Sequence, residues 1–249
     1  MGIRETNTVQ GNLEFLAAKR LAMLAQRPDA KLALEAASFC RQTGCGELLS
    51  RMDTCAFFQA LVQSASIYLA LLERRHECSE RDQYYLARSK AAPFFDAMAA
   101  QATDLVDRML PLLTRDWMRR VEPEELFHYH VAISCLAGGS GDVESALRAF
   151  ERSLDGVESA RFDATRALVT DNSDAFDAAL QALIDERCKA LEKERKAGIF
   201  NPYFHRTEAH VFVEGLALVR LAQRRGMKAR PWYRTIPKPA LEALSRCSR

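Results

Sequence analysis

Good helix formers outnumber β-branched apolar residues along this chain: 38 Ala and 30 Leu stand against 11 Val and 6 Ile. Alanine gives up no side-chain freedom in a helix and leucine little, whereas Val and Ile are stiffened against the preceding turn and suit strands. Gly and Pro, which interrupt helices, number only 11 and 8 among 249 residues. The expected fold is therefore all-α: a single multi-helix bundle or irregular array of about ten helices, with no sheet. At 48% hydrophobic and a net charge of +2, the chain can build a core and lacks the charge excess of a disordered or polyanion-coating protein.

Start and stop signals divide the chain. Leu13 to Gln26 and Pro28 to Gln42 read as a first helix pair, the second closing at Gly44-Cys45-Gly46. Asp53 caps an uncharged helix, Thr54 to Leu72; its length suits a bilayer, but Gln59, Gln63, Ser64 and Ser66 make it a core helix instead. Ser79 opens the next segment, and Pro93 and Pro111 each kink or split a helix. Pro123 starts a helix ending in Gly138-Gly139-Ser140-Gly141, the candidate subdivision of a single domain spanning 1–249. Beyond it, Val143, Ala146, Leu147, Phe150 and Leu154 form one amphipathic stripe; a longer one from Phe176 to Leu191 is capped by Ser173. Glu208 to Ala222 is apolar almost all round, as a central helix must be. His210 and Glu214, one turn apart within it, are expected to pair, because a buried carboxylate needs a partner. No fixed-period repeat is present, although Ala146-Leu147-x-x-Phe150 resembles the second helix of a tetratricopeptide unit.

Motifs for chemistry are scarce. The seven cysteines include no C-x-x-C pair and the N-terminus has no apolar signal core, so reduced thiols in the cytoplasm are expected. His205 and His210 are five residues apart, a rotation of about 140° on a helix, so they cannot chelate a metal together. No metal or cofactor is expected. His128 and His130 flank Tyr129, point to different helix faces and read as solvated. Arg206 and His210 stand too close in sequence for the Arg–His pair of HEPN-type helical ribonucleases. There is no G-x-S-x-G, no phosphate-binding glycine loop and no framework for a nucleophilic Cys, so an enzyme is not indicated.

Charge is unevenly spread. Between Asp142 and Glu186 eleven acids face four arginines; in the last 32 residues nine basic residues face only Glu242. The basic end has few aromatics beyond Trp232 and Tyr233, so it reads as a solvated face or a complement to the acidic helices rather than a nucleic-acid site. The acidic run is long enough to suit a basic partner.

Residues Arg161 to Leu241 resemble the immunity protein 49 family, bacterial proteins that protect a cell from polymorphic toxins. Three stretches carry the likeness: Asp171-Asn172-Ser173-Asp174-Ala175-Phe176-Asp177 leading to Arg187, Glu208 through Leu218 to Arg225-Gly226-Met227, and Tyr233-Arg234-Thr235-Ile236-Pro237. The resemblance implies a non-catalytic protein that neutralises a cognate toxin domain by surface complementarity, with neither nucleic acid nor membrane as partner and a homo-oligomer left open. The expected toxin-facing residues are Asp142, Glu144, Asp155, Glu158, Asp171, Asp174 and Asp177, with a competing site at Tyr203, Phe204, His205 and Arg206. Two rivals stand beside it. A tetratricopeptide-like adaptor would show repeat geometry, and an enzyme with an unrecognised helical active site would show perturbed titratable groups in one cleft. Far-UV circular dichroism should be dominated by helix; a strong strand signal would overturn the architecture and the resemblance together.

Overall fold

Side-chain caps open six of the twelve α-helices among the described residues. The computed structural model describes residues 3–25, 29–139, 141–199 and 201–242. In chain order the helices are α1 (Ile3–Leu24), α2 (Ala30–Arg51), α3 (Thr54–Glu73), α4 (Ala92–Ala99), α5 (Thr103–Met109) and α6 (Glu124–Gly138), then α7 (Val143–Ser153), α8 (Ala160–Val169), α9 (Ser173–Lys196), α10 (Pro202–Arg206), α11 (Val213–Arg224) and α12 (Lys238–Glu242). Asp29, Asp53, Asp142, Ser159, Asn172 and Asn201 each accept a backbone N–H at the start of α2, α3, α7, α8, α9 and α10. The fold is all-α. No strand occurs among the described residues, only an isolated antiparallel bridge between Tyr233 and Ile236.

Several boundaries differ from the sequence reading. Gln26, Pro28 and Ser140 lie outside the described residues. The cap of α9 is Asn172; Ser173 is its first helical residue, and its hydroxyl accepts from the backbone N–H of Lys228. The Ala-rich α8 carries no long apolar stripe and was not announced by periodicity. Pro93 opens α4, after short 3-10 segments at Arg75–Glu77, Glu80–Leu86 and Arg88–Lys90, and Pro111 sits in a 3-10 turn closing α5.

The largest correction concerns Gly44 and Gly46, which do not end α2. The helix runs on to Arg51 and closes at Met52 in the left-handed region, φ 56°. A Cβ on Gly44 would lie 2.8 Å from that of Ala60 and 3.0 Å from the Phe57 carbonyl oxygen, and one on Gly46 would collide with the Gln10 side chain. These glycines are the places where α3 and α1 press against α2.

The uncharged α3 is a core helix. Phe57, Leu61, Ala65, Tyr68 and Leu72 are buried as it packs against α2, α4 and α5. One continuous apolar cluster extends from Ala30 to Ala240, with α11 contributing Leu216, Ala217, Leu218, Val219, Leu221 and Ala222. That helix starts at Val213, not Glu208. Glu208–His210 form a separate 3-10 turn, and the Phe212 N–H is taken by the Thr235 carbonyl at 2.7 Å.

Gly44→Ala should lower stability by about 1–3 kcal/mol, because the added methyl meets backbone and a short side chain that cannot yield. Gly11→Ala, mid-helix in α1 with nothing within 4 Å of the added carbon, should raise it by roughly 0.5–1 kcal/mol. Denaturant unfolding of the two variants checks the opposite signs.

Candidate functional site

The apolar core surrounds a cluster of charge. Arg41 on α2 grips Asp96 on α4 through two hydrogen bonds, Nε to Oδ1 at 2.6 Å and Nη2 to Oδ2 at 2.8 Å. Ser64 on α3 donates to the same carboxylate at 2.6 Å, and Arg41 Nη1 reaches Glu208 at 3.3 Å. Asp96 is 0% exposed. Burial pushes its carboxyl above the usual range, with Arg41 and Ser64 pulling it part-way back. For Arg41 burial works against the charge, but Asp96 and then Glu208 outweigh it and hold the guanidinium above its ordinary range.

A second knot lies alongside. Arg161 on α8 contacts both oxygens of Glu214 on α11, at 3.0 and 3.4 Å, and Tyr129 on α6 donates to Glu214 at 2.9 Å. The Arg161 guanidinium also covers the Tyr129 ring, 5.5 Å from its centroid. Burial alone would raise the Glu214 carboxyl; Arg161 and the hydrogen bonds from Arg161 and Tyr129 hold it below the ordinary value. Arg187 on α9 completes the set, donating to the carbonyls of Glu208 (2.8 Å) and Ala209 (2.9 Å) and lying 5.1 Å over the Phe212 ring.

These groups frame a cavity of about 260 Å³ walled by His130, Phe95 and Phe204. His130 stands edge-on to Phe95 and Tyr129 at 5.1 and 5.5 Å, and burial above all drives its imidazole down to about 4. The ring is therefore neutral near pH 7. All three carboxylates at this cavity are engaged by arginine, so acid–base chemistry there would begin by breaking an ion pair. Among the described residues no group of three His, Cys, Asp or Glu side chains is placed to hold a metal ion.

The expected His210–Glu214 pair is corrected. The partners of Glu214 are Arg161 and Tyr129, while His210 sits exposed on the 3-10 turn before α11 begins, because the helix that would have stacked them starts only at Val213. His130 is likewise buried at 9% exposure rather than solvated; His128 approaches Glu124 at 3.7 Å.

The acidic residues divide. Asp142 and Glu144 are exposed around Arg148 at 3.9 and 3.6 Å, and Asp155, Glu158 and Asp174 are exposed. Asp171 instead pairs with Arg225 at 2.8 Å; Asp177 accepts from the Tyr233 hydroxyl at 2.5 Å and faces Arg230 at 3.6 Å. The basic C-terminal stretch thus complements the start of α9, and its Arg246 and Arg249 lie outside the described residues. Tyr203, Phe204 and His205 on α10 are half-buried and Arg206 is exposed; Phe204 lines the polar cavity, and His205 lines a neighbouring groove with His210 and Arg234. Sequence reading missed Arg41, Asp96, Arg161 and Arg187. A signal existed for one: Asp96 is the lone charge in Ala91-Ala92-Pro93-Phe94-Phe95-Asp96-Ala97-Met98-Ala99-Ala100.

The model for the family described as Immunity protein 49 matches residues 13–238. The chain belongs to the immunity protein 49 family. No curated protein and no solved structure matches it. The match reaches far beyond residues 161–241, and for this immunity protein it takes in Arg41 and Asp96 as well as Arg161, Glu208 and Glu214.

His130 carries a pH dependence. Its folded value lies well below the ordinary 6.5, so the unfolded chain takes up the proton first and stability falls as pH drops from about 6.5 toward 4. Between roughly pH 7 and pH 5 the loss from this group should be about 2 kcal/mol. Denaturant titrations of the parent and of His130→Gln at both pH values should differ by that amount; equal slopes would overturn the assignment.

Proposed function

We propose that this immunity protein binds a cognate bacterial toxin domain in the cytoplasm and neutralises it stoichiometrically, by covering its surface and without catalysis. The family match across residues 13–238 carries the reading. Two features support it. The charged cavity is braced by its own buried ion pairs, as suits a rigid scaffold, whereas the acids Asp142, Glu144, Asp155 and Glu158 are exposed, the first two around the equally exposed Arg148.

That face centres on the turn between α7 and α8. There Val157, 69% exposed, stands beside the exposed Asp155 and Glu158, while Asp142 and Glu144 are exposed at the opposite end of α7. Asp174 extends the acidic set. Asp171 and Asp177 are left out of the binding test because they hold Arg225, Arg230 and Tyr233, so reversing them would damage the fold. Tyr203, His205 and Arg206 remain the competing contact, with Trp232, 64% exposed, as a further aromatic.

The cleft of perturbed titratable groups is the observation that favours an enzyme. Stoichiometry separates the two: a blocker abolishes toxin activity only at about one molecule per toxin and co-purifies with it, whereas an enzyme protects at catalytic amounts. For the surface, the triple reversal of Glu144, Asp155 and Glu158 to Lys, with Asp142 kept because it caps α7, should slow association about tenfold or more and remove its salt dependence. Tyr203→Ala should mainly speed dissociation. If both variants protect toxin-producing cells as well as the parent, neither surface is the interface.

A further inference from the structure

A second cavity, of about 330 Å³, opens between α4, α5 and α11, and it is built differently. Met98, Val106 and Leu221 supply apolar wall; Gln101, Thr103, Gln223, Arg220 and Arg224 supply the polar groups. Arg220 is 6% exposed. Its Nη1 donates to Gln223 Oε1 at 2.9 Å and its Nη2 to the Ala240 carbonyl at 2.6 Å, while its buried Nε–H has no acceptor among the described residues. Arg41 and Arg161 have carboxylates in contact, Asp96 and Glu208 for the first and Glu214 for the second, and Arg187 has the nearby charge of Glu208; Arg88, whose Nε–H is likewise unpaired among the described residues, has Glu122 nearby. Among the described residues nothing comparable faces Arg220, and burial alone pulls it down to about 10.

Arg224 reinforces the asymmetry. It lies one turn further along α11 at the same cavity, where like charges four residues apart repel, and it donates to the Ala137 carbonyl rather than to an acid. A buried cation left without a counter-charge is costly, and the exposed Arg224 adds a second positive charge at the mouth of the same cavity. An anion entering the cavity relieves that cost, and the apolar lining of Met98, Val106 and Leu221 fits a short hydrocarbon stem behind it.

We propose that this cavity is a binding site for a carboxylate carried on a short apolar stem, held by Arg220 and Arg224 with the stem against Met98, Val106 and Leu221. The site is independent of the acidic face assigned to toxin binding. A carboxylate of this kind can be a free small acid or the C-terminus of a polypeptide, and the probes separate the two. They are sodium hexanoate, with hexanol and equimolar sodium chloride as controls, and acetyl-Ala-Leu with a free or an amidated C-terminus.

At saturating hexanoate the melting temperature of the full chain should rise by about 2–4 °C, with no rise in hexanol or salt. Calorimetric titration should show the affinity falling at least about tenfold in Arg220→Gln. Because that substitution alters a buried residue, Thr103→Trp at the exposed mouth provides the second variant; it leaves the core intact and should block entry. Binding of the free peptide but not hexanoate assigns the site to a chain terminus; binding of hexanoate assigns it to small acids. The proposal is overturned if neither carboxylate binds, or if Thr103→Trp binds as the parent does. It is also overturned if a folded Arg220→Gln loses nothing.

Discussion

The ion pair between Arg41 and Asp96 constrains how α2, α3 and α4 pack and where the Glu208 turn meets them. Asp96 is wholly buried and Arg41 almost so, and each would be intolerable alone in the apolar surroundings of α2, α3 and α4. The pair is satisfied by geometry rather than by water: two parallel N–H to oxygen contacts, a hydroxyl from Ser64, and a third guanidinium contact to Glu208. Such pairs add little net stability compared with a well-packed apolar replacement, yet any arrangement that separates the partners carries a large penalty. In this protein that penalty fixes the register of α2 against α4, because only one helical turn of each places the two side chains face to face.

Glu208 extends the constraint across the chain. Its side chain meets Arg41 from α2, and its carbonyl is held by Arg187 from α9, so a three-residue turn joins elements far apart in sequence. A few residues later Glu214 ties α11 to α8 and α6 through Arg161 and Tyr129. The N-terminal helices and the C-terminal helices are thus stitched by two charged knots on either side of one cavity. A scaffold cross-braced in this way presents its outer surface with little freedom, and preorganisation favours tight protein recognition.

Part of the acidic and basic imbalance is settled within the molecule, by the pairs Asp171–Arg225 and Asp177–Arg230. The acids at the start of α9 meet arginines of the C-terminal segment, and Tyr233, buried against Asp177, ties that segment down. Charge patterns that are large in a linear count shrink where such pairs form; the exposed acids that remain include those around α7 and its turn into α8 and Asp174 on α9.

The sequence by itself determined the helical class, the core role of α3, its Asp53 cap and the family likeness, because these depend on local propensity, on a period of 3.6 residues and on side chains reaching backbone groups within a turn. It did not determine why Gly44 and Gly46 are glycines: locally they read as a stop, and only the close approach of α3 and α1 shows that they make room. Nor did it place the polar cavity. Glu214 and His210 looked like partners under helical spacing, but a backbone bond from Phe212 to Thr235 accompanies a break in the helix between them, and Glu214 found Arg161, 53 residues away. A charge chooses its partner by distance in space within a low-dielectric interior, and that distance exists only once the helices have packed.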